Sequence, residues 1–310
     1  MDDLNEENAF RGTHEVDDSG EGCPHVLDCT KNPNHENFIP IDEFNIGHLP
    51  ARYQDQDMLD VIRTQADLTV MVTVNSTSPR RPDFYLGVDL TSKNSSYPAT
   101  RSGTGRVRGG YECVGQGHCV CVNCEHSKHP SLKWGKIRVL TATHVVFDES
   151  EAINTTCVLG FNNSSSCVTK LKVCDMSKAD VKGDLARLTC VTCDMDLINS
   201  LNETVSRFYN LCNVVNKKYH RFVNLDKLIV IVSHPHRWPK HVSVGQWITR
   251  QERTDEHDRS LKWTKYTYTA CTCPGSSGAP VYKLGTDRFY YFHPHSGTNS
   301  NVNFSGEGWE

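Results

Sequence analysis

Residues 271–280 read Cys-Thr-Cys-Pro-Gly-Ser-Ser-Gly-Ala-Pro and separate two apolar, strand-like runs of the chain. The pattern predicts two β-strands joined by a sharp turn, since Gly275 and Gly278 can adopt backbone conformations that other residues avoid. We expect Ser277 to be exposed on this turn and to act as a nucleophile. The backbone N–H groups of Gly275 and Ser277 can then point at one site and bind the oxyanion that forms after attack.

A histidine suited to activate this serine lies 133 residues earlier in the chain, since 277 − 144 = 133. Residues 137–148 read Ile-Arg-Val-Leu-Thr-Ala-Thr-His-Val-Val-Phe-Asp and predict an apolar strand that ends in a short turn carrying His144. A nucleophilic serine needs such a base to take its proton. The two motifs together favour acyl-transfer chemistry at Ser277.

Both motifs resemble those of a known family. Residues 141–146 are similar to the histidine motif of trypsin-like serine peptidases, and residues 274–280 are similar to their nucleophile motif. The Deg, or high-temperature-requirement, branch gives the closer match, and the chain also resembles uncharacterised trypsin-like proteins of molluscs over nearly its whole length. The resemblance implies a mostly β chymotrypsin fold of two six-stranded antiparallel β-barrels. It also implies a serine endopeptidase that hydrolyses protein or peptide substrates through a Ser-His-Asp triad.

The acid of this triad has three candidates. Residues 188–198 predict a strand, a short turn and Asp196-Leu197, which resembles the Deg pattern, so Asp196 is the favoured acid. Asp184 is the alternative, because residues 184–188 superficially resemble the trypsin string Asp-Ile-Ala-Leu-Leu. That alignment places Arg187 in a strand that should be buried. Asp194 is the third candidate.

The 310 residues divide into an extension and one large domain. Residues 1–50 are acidic and polar and lack periodicity, which predicts a flexible extension. Residues 51–310 predict the peptidase domain, with a first barrel at about 67–198 and a second barrel at about 226–305. Apolar residues at helical spacing predict an inserted helix at about 197–220, which the family lacks.

Charge and hydropathy exclude several classes of partner. The net charge of −4 and the absence of a dense Lys/Arg block argue against nucleic acid. The sequence contains no run of 18 apolar residues, so it predicts no membrane-spanning helix. Its acidic start is unlike the basic start of a signal peptide. We therefore expect a cytoplasmic protein with mostly reduced cysteines, although the fourteen cysteines and several Asn-x-Ser/Thr sites leave secretion open. The sequence does not indicate the oligomeric state.

A cysteine-rich insertion of about 25 residues precedes the histidine strand. Cys-x2-Cys spacing lets two thiolates reach one zinc ion from a single turn, so we expect Cys119, Cys121 and Cys124 to bind structural zinc. The fourth ligand stays open among three residues, which are Cys113, His126 and His129. A cysteine-rich surface loop, or oxidation in pairs, is the alternative. No cofactor is expected for catalysis.

Two other groups of histidines and cysteines lie elsewhere in the chain. The loop with His234, His236 and His241 is typical of a solvated hairpin tip more than of a metal site. Cys23 and Cys29 flank a histidine and could join a metal site or a disulfide, but a disordered tail with unpaired thiols is the simpler interpretation.

The segment after the nucleophile predicts the substrate preference. Residues 295–297 read His-Ser-Gly, which is similar to the His-x-Gly of glutamyl endopeptidases and picornavirus-type cysteine peptidases. The resemblance implies that His295 lies at the floor of the pocket and donates a hydrogen bond to substrate. We therefore predict a preference for Glu or Gln before the scissile bond. The alternative function is a catalytically silent trypsin-like module that binds partners, with a zinc-stabilised loop.

Overall fold

The computed structural model describes residues 13–17, 29–81, 84–85, 88–89, 100–254, 262–285, 293–299 and 302–309. The strands in these ranges are β1 (Thr13–His14), β2 (Ile39–Pro40), β3 (Thr69–Val74), β4 (Phe84–Tyr85), β5 (Val88–Asp89), β6 (Arg101–Glu112), β7 (Gly135–Thr141), β8 (Thr155–Leu159), β9 (Thr169–Asp180), β10 (Leu185–Thr192), β11 (Leu228–Ser233), β12 (His241–Thr254), β13 (Lys262–Tyr268), β14 (Pro280–Lys283), β15 (His293–Asn299), β16 (Val302–Ser305) and β17 (Gly308–Trp309).

The α-helices in the same ranges are α1 (Gln56–Asp67), α2 (Glu149–Ala152), α3 (Met195–Tyr219) and α4 (Val223–Asp226). Short 3-10 turns occur at Pro33–His35, Ile46–His48, Ala51–Tyr53 and Pro235–Arg237. None of the helices in the described part of the chain is long and apolar enough to span a membrane.

Six strands form a closed first barrel in the order β10-β7-β6-β3-β8-β9, and all neighbours are antiparallel. The sequence produces these strands by alternation, since successive side chains of a strand point to opposite faces. In β3, for example, Val70, Val72 and Val74 are fully buried. The cysteine-rich insertion connects β6 to β7 as the end of a long hairpin.

Six further strands form a second closed ring, β11-β12-β13-β16-β15-β14, in which β14 pairs with β11 again. The predicted fold of two six-stranded antiparallel barrels is confirmed. Strand β11 shows how the barrel joins the rest of the molecule. Its residues Ile229 and Ile231 pack with the tyrosines of β13 inside the barrel. Val230 and Val232, on the opposite face, belong to the large core that also includes the first barrel and the helices.

Helix α3 occupies the place of the predicted inserted helix. It begins after Asp194, whose side chain accepts a hydrogen bond from the Leu197 N–H and so caps the first turn. One face of α3 is buried, as its amphipathic pattern requires. The residues of this face are Ile198, Leu201, Val205, Phe208, Cys212 and Val215.

The described part of the first fifty residues belongs to the folded domain, so the expectation of a flexible extension is wrong for residues 13–17 and 29–50. Strand β1 pairs with β15, and β2 pairs with β12. Phe44 and Leu49 are buried in the main core. Apolar residues in this part of the chain are sparse and lie next to 3-10 turns, so the sequence shows no helical or strand periodicity there. Cys23 lies outside the described residues.

Candidate active site

Ser277 lies on the turn between β13 and β14, as the sequence predicts. Gly275 and Gly278 have φ values of +97° and +82°, which favour glycine. A Cβ atom on Gly275 would lie 2.5 Å from the His234 carbonyl oxygen, so no other residue fits there without movement. Ser277 is fully buried, not exposed as expected, and the Glu15 N–H donates to its Oγ at 3.1 Å.

His144 follows β7 and reaches Ser277 across the boundary between the barrels. Its Nε2 lies 2.7 Å from the Ser277 Oγ. The ring is fully buried, and the Arg81 guanidinium donates to the His144 carbonyl oxygen at 2.9 Å. The structure therefore brings together the predicted base and the predicted nucleophile.

The acid beside His144 is Asp184. Its Oδ2 lies 2.7 Å from His144 Nδ1, and its Oδ1 accepts from the His144 backbone N–H at 3.1 Å. Ser296 Oγ donates to the same carboxylate at 2.5 Å. Burial alone raises the pKa of Asp184, but the charge and hydrogen bond of His144, the nearby His14 and the Ser296 bond together lower it. An imidazole that donates Nδ1–H to this carboxylate presents the Nε2 lone pair to Ser277.

The expectation that Asp196 contacts His144 is wrong. Asp196 lies in the first turn of α3 and is exposed, where its charge suits the positive end of the helix dipole. The string that resembled a strand, turn and Asp-Leu motif is a strand followed by a helix start, with Asp194 as the cap. Asp194, the third candidate, therefore caps the helix and does not contact His144.

Asp184 was the less favoured acid because its alignment places Arg187 in a strand that should be buried. The local geometry of β10 accommodates this arginine. A β-bulge against β9 follows Arg187, and the arginine is only half-buried. Bulges let a strand turn a side chain away from its regular direction. Strand β10 can thus carry an arginine although it belongs to the barrel.

A buried ion network lies next to the turn that carries His144, and no sequence motif indicated it. Glu151 is fully buried, and its carboxylate contacts the guanidinium groups of Arg81 and Arg101 at 2.7 and 2.6 Å. These arginines also donate to the carbonyl oxygens of His144 and Val145 at 2.9 and 3.0 Å. Burial raises the pKa of Glu151, but the Arg81 hydrogen bond, the charges of both arginines and the hydrogen bond from the Ser78 N–H outweigh it and lower the pKa. The network fixes the turn that carries His144.

His295 lies beside the nucleophile turn, where a pocket residue was predicted. It is fully buried, and its Nδ1 lies 2.7 Å from the Tyr268 hydroxyl. Its Nε2 lies 2.6 Å from a carboxylate oxygen of Glu15. Burial lowers the pKa of His295 despite this contact, which favours a neutral ring with Tyr268 donating to Nδ1 and Nε2–H pointing at Glu15. The structure thus shows His295 in contact with a glutamate side chain.

Two further groups complete the surroundings of the Glu15 carboxylate. Lys31 forms an ion pair with it and donates to Thr272 Oγ1 and Asn303 Oδ1 at 2.9 and 2.8 Å. Thr272 Oγ1 itself donates to Glu15 at 2.5 Å. Burial raises the pKa of Glu15, but the hydrogen bond and charge of His295 and the Lys31 ion pair lower it to about 2. Sequence reasoning missed Lys31, which no motif marks.

Three of the cysteines predicted to bind metal come together with a fourth that was not predicted. The thiols of Cys119, Cys121, Cys124 and Cys193 all lie within 4.8 Å of one another. Cys113 is buried nearby but outside this group, and His126 and His129 are exposed. Cys193 follows β10, 72 residues from Cys121, and their sulfurs are 3.7 Å apart. The fourth member of the group is thus Cys193 and none of the three candidates from the loop, because it comes from a distant part of the chain.

The two closed barrels meet with the histidine and aspartate on the first and the serine on the second. The fold is chymotrypsin-like.

No protein-family model matches the chain, and no curated protein matches it. Solved structures of similar fold include the Rv3671c protease of M. tuberculosis in its active form, with 12% identity, a TM-score of 0.41, and coverage of 79% of this chain and 78% of that one.

Two other solved structures are similar at the same level. The HtrA-type protease AlgW with decapeptide has 11% identity, a TM-score of 0.39, and coverage of 80% of this chain and 62% of that one. Deg5 has 11% identity, a TM-score of 0.40, and coverage of 83% and 90%. At these identities and TM-scores the similarity is one of fold alone.

Proposed function

We propose that this chain is a serine endopeptidase. One observation carries the proposal: Ser277 Oγ lies 2.7 Å from His144 Nε2, while Asp184 binds the other ring nitrogen at 2.7 Å. Nucleophile, base and orienting acid within hydrogen-bond reach of one another are the arrangement that acyl transfer requires. All three side chains are buried, so the hydrogen bonds act in a medium of low dielectric constant.

The reaction follows from the geometry. His144 takes the Ser277 proton as Oγ attacks the peptide carbonyl, and Asp184 stabilises the imidazolium that forms. The backbone N–H groups of Gly275 and Ser277 bind the oxyanion. His144 then gives its proton to the leaving amine, and the bond between the carbonyl carbon and nitrogen breaks. His144 then takes a proton from water as the water oxygen bonds to the acyl carbon, and returns that proton to Ser277 Oγ as the ester bond breaks and the carboxylic acid product leaves.

The pocket favours glutamate before the scissile bond. His295 supplies a hydrogen-bond donor that would serve Glu or Gln alike. Lys31 adds a positive charge, which a carboxylate satisfies and a neutral amide does not. We therefore propose that Glu is preferred over Gln, and that peptides with basic or aromatic residues at this position are poor substrates.

A fluorophosphonate probe tests the activated serine. We expect the purified chain to be labelled at one site, and we expect Ser277→Ala and His144→Ala to abolish labelling. A peptide library then tests the pocket, with cleavage after Glu expected to exceed cleavage after Gln. A well-folded sample that neither labels nor cleaves would contradict the enzyme and leave a silent binding module. Cleavage only after basic or aromatic residues would contradict the pocket assignment.

We also propose that Cys119, Cys121, Cys124 and Cys193 hold one structural zinc ion. Four thiols that converge within 4.8 Å form the donor set of a closed tetrahedral site. Metal analysis tests this: Cys193→Ser should remove one equivalent of zinc, whereas Cys113→Ser, at a buried cysteine outside the group, should remove none. Equal zinc content in all three proteins would contradict the site.

A further inference from the structure

Residues 13–17 run through the cleft as an extra strand between the two barrels. On one side, β1 pairs antiparallel with β15, with Thr13 opposite Thr298 and His14 opposite Gly297. On the other side, Asp17 exchanges both backbone hydrogen bonds with Ser102 of the first barrel, at 3.0 and 2.9 Å. An extended segment held by backbone bonds on both sides of a cleft is the binding mode of a peptide ligand.

Glu15, between these two pairings, meets the reacting groups. The Gly275 N–H donates to the Glu15 carbonyl oxygen at 2.7 Å, within the range of an oxyanion donor. Ser277 Oγ lies 3.1 Å from the Glu15 nitrogen, two bonds from the carbonyl carbon. The His14 ring stacks on the His144 ring with centroids 4.0 Å apart. The Glu15 side chain fills the pocket that holds Lys31 and His295.

From these contacts we infer that the Glu15–Val16 peptide bond is a substrate of the chain's own active site. The inference rests on the proposed function. Ser277 Oγ bonds to the Glu15 carbonyl carbon, and its proton passes to His144. The bond to the Val16 nitrogen breaks as His144 returns that proton to it, which leaves Val16 as a free amino terminus. Water then hydrolyses the ester and releases residues 1–15 with Glu15 as carboxylate.

The intact segment has a second effect. It occupies the pocket and covers Ser277, which is fully buried beneath it. External substrates are therefore excluded until the bond is cut and residues 1–15 leave. Lys31 lies beyond the cleavage site and stays in the chain, so the pocket keeps its charge after processing.

Intact mass and amino-terminal sequencing of the purified full chain, followed over time at two concentrations tenfold apart, test the inference. We expect a product that begins at Val16, with one rate constant at both concentrations. Ser277→Ala should stay whole, and Glu15→Lys should slow the cut by at least about a hundredfold, because charge reversal removes the fit to Lys31 and His295. Glu36→Lys, the same reversal at an exposed acid 21 residues after Glu15, should be cut like the wild type.

Fluorophosphonate labelling of the same samples separates the two proposals. Labelling of a chain that keeps residues 1–15 would overturn self-cleavage and leave the peptidase standing. Absence of labelling in both the wild type and Glu15→Lys, whose cleft should be freer, would overturn the peptidase itself. A rate that rises with concentration would overturn the intramolecular step.

Four other side chains have the arrangement of a second metal site. One ligand atom from each of Cys29, His35, His236 and Cys273 lies within 4.8 Å of the other three. The two sulfurs are 3.5 Å apart, and the two Nε2 atoms are 3.1 Å apart. A tetrahedral zinc ion with bonds of about 2.3 Å to sulfur and 2.0 Å to nitrogen has edges of about 3.8 and 3.3 Å. The group thus has nearly the dimensions of an occupied site.

We propose that these four residues bind a second structural zinc ion. Three of them are buried, and Cys29 is half-buried. Asn32 donates to the Cys273 sulfur at 3.1 Å, which supports a thiolate there. The ion would join the segment after Cys29 to the nucleophile loop, since Cys273 lies four residues before Ser277. It would also hold Lys31 in the pocket once residues 1–15 have left.

Native mass spectrometry and metal analysis test this site. The wild type should hold two zinc ions, and Cys29→Ser and His236→Gln should each hold one. Cys271→Ser, a half-buried cysteine two residues from Cys273 and outside the group, should keep both. The Cys193→Ser protein loaded with cobalt in place of zinc should show the thiolate-to-cobalt charge-transfer absorption of a site with two cysteine ligands. One ion in the wild type, all of it lost with Cys193→Ser, would overturn the proposal.

Discussion

Asp184 has a φ of +54°, in the left-handed region that residues with a Cβ rarely adopt. Such a conformation costs of order 1–3 kcal/mol and persists only where surrounding contacts enforce it. Here the contacts are the His144 backbone N–H, the His144 ring and the Ser296 hydroxyl. The strain places the carboxylate under the imidazole, which regular continuation of the strand would not do.

Asp184→Asn should lower the rate of peptide hydrolysis by about 10⁴-fold, because an amide no longer selects the tautomer that presents Nε2 to Ser277. Asp196→Asn, at an exposed helix position, should leave the rate within about twofold. Steady-state kinetics on a peptide with Glu before the scissile bond would measure both. A larger loss in Asp196→Asn than in Asp184→Asn would contradict the assignment.

Lys31 supplies the positive charge of the proposed pocket. Lys31→Met should lower kcat/KM for the Glu peptide by about tenfold to a hundredfold, since a charged hydrogen bond contributes about 1.5–3 kcal/mol. The value for the matching Gln peptide should change far less. The ratio of the two kcat/KM values, taken after the amino-terminal segment has been removed, measures the effect. An unchanged ratio would show that His295 alone sets the preference.

At the scale of an element, the turn after β7 depends on Glu151. This carboxylate lies at the end of α2 and joins two arginines from elsewhere in the chain, both of which hold carbonyl oxygens of the turn. Removing one partner of such a buried network leaves uncompensated charge. The position of His144, the proposed base, is therefore linked to the stability of the network.

Glu151→Gln should lower the free energy of unfolding by about 3 kcal/mol at pH 7. The folded state lowers the pKa of Glu151 from its ordinary value of 4.5, so the contribution is complete above about pH 4.5 and is lost as pH falls through the folded-state pKa. The gap between the two proteins should thus close in acid. Urea unfolding between pH 7 and pH 3 measures it, and a gap that widens in acid would contradict the network.

At the scale of the whole molecule, α3 joins the barrels. Phe208 lies 4.3 Å below the Arg106 guanidinium of the first barrel and 6.4 Å, between ring centroids, from Tyr282 of the second. Its side chain is 1% exposed. The proposed active site takes its base and acid from one barrel and its nucleophile from the other, so the helix helps to hold the three side chains in position.

Phe208→Ala should lower the free energy of unfolding by about 3–5 kcal/mol, the usual cost of an aromatic cavity. It should also lower peptidase activity more than an equal loss of stability elsewhere would. Val214→Ala, on the exposed face of the same helix, serves as the control and should cost less than about 0.5 kcal/mol. Thermal unfolding and peptide kinetics measure both. Unchanged stability in Phe208→Ala would contradict the bracing role.

The sequence by itself determined what depends on neighbours along the chain. Strand alternation, the glycine turn around Ser277, the turn carrying His144 and the amphipathic helix are local patterns, and each predicted the element that forms. Cys119, Cys121 and Cys124 were grouped correctly for the same reason, since they share one loop.

Only the tertiary structure decided which distant residues meet. His144 and Asp184 are 40 residues apart, Cys121 and Cys193 are 72 apart, and Glu15 and Ser277 are 262 apart. The resemblance to the Deg pattern favoured Asp196, because an acid after a strand and a short turn can also stand at the start of a helix. Barrel closure and strand register fix these pairs, and both are set by long-range hydrogen bonds and core packing that no short stretch of sequence encodes.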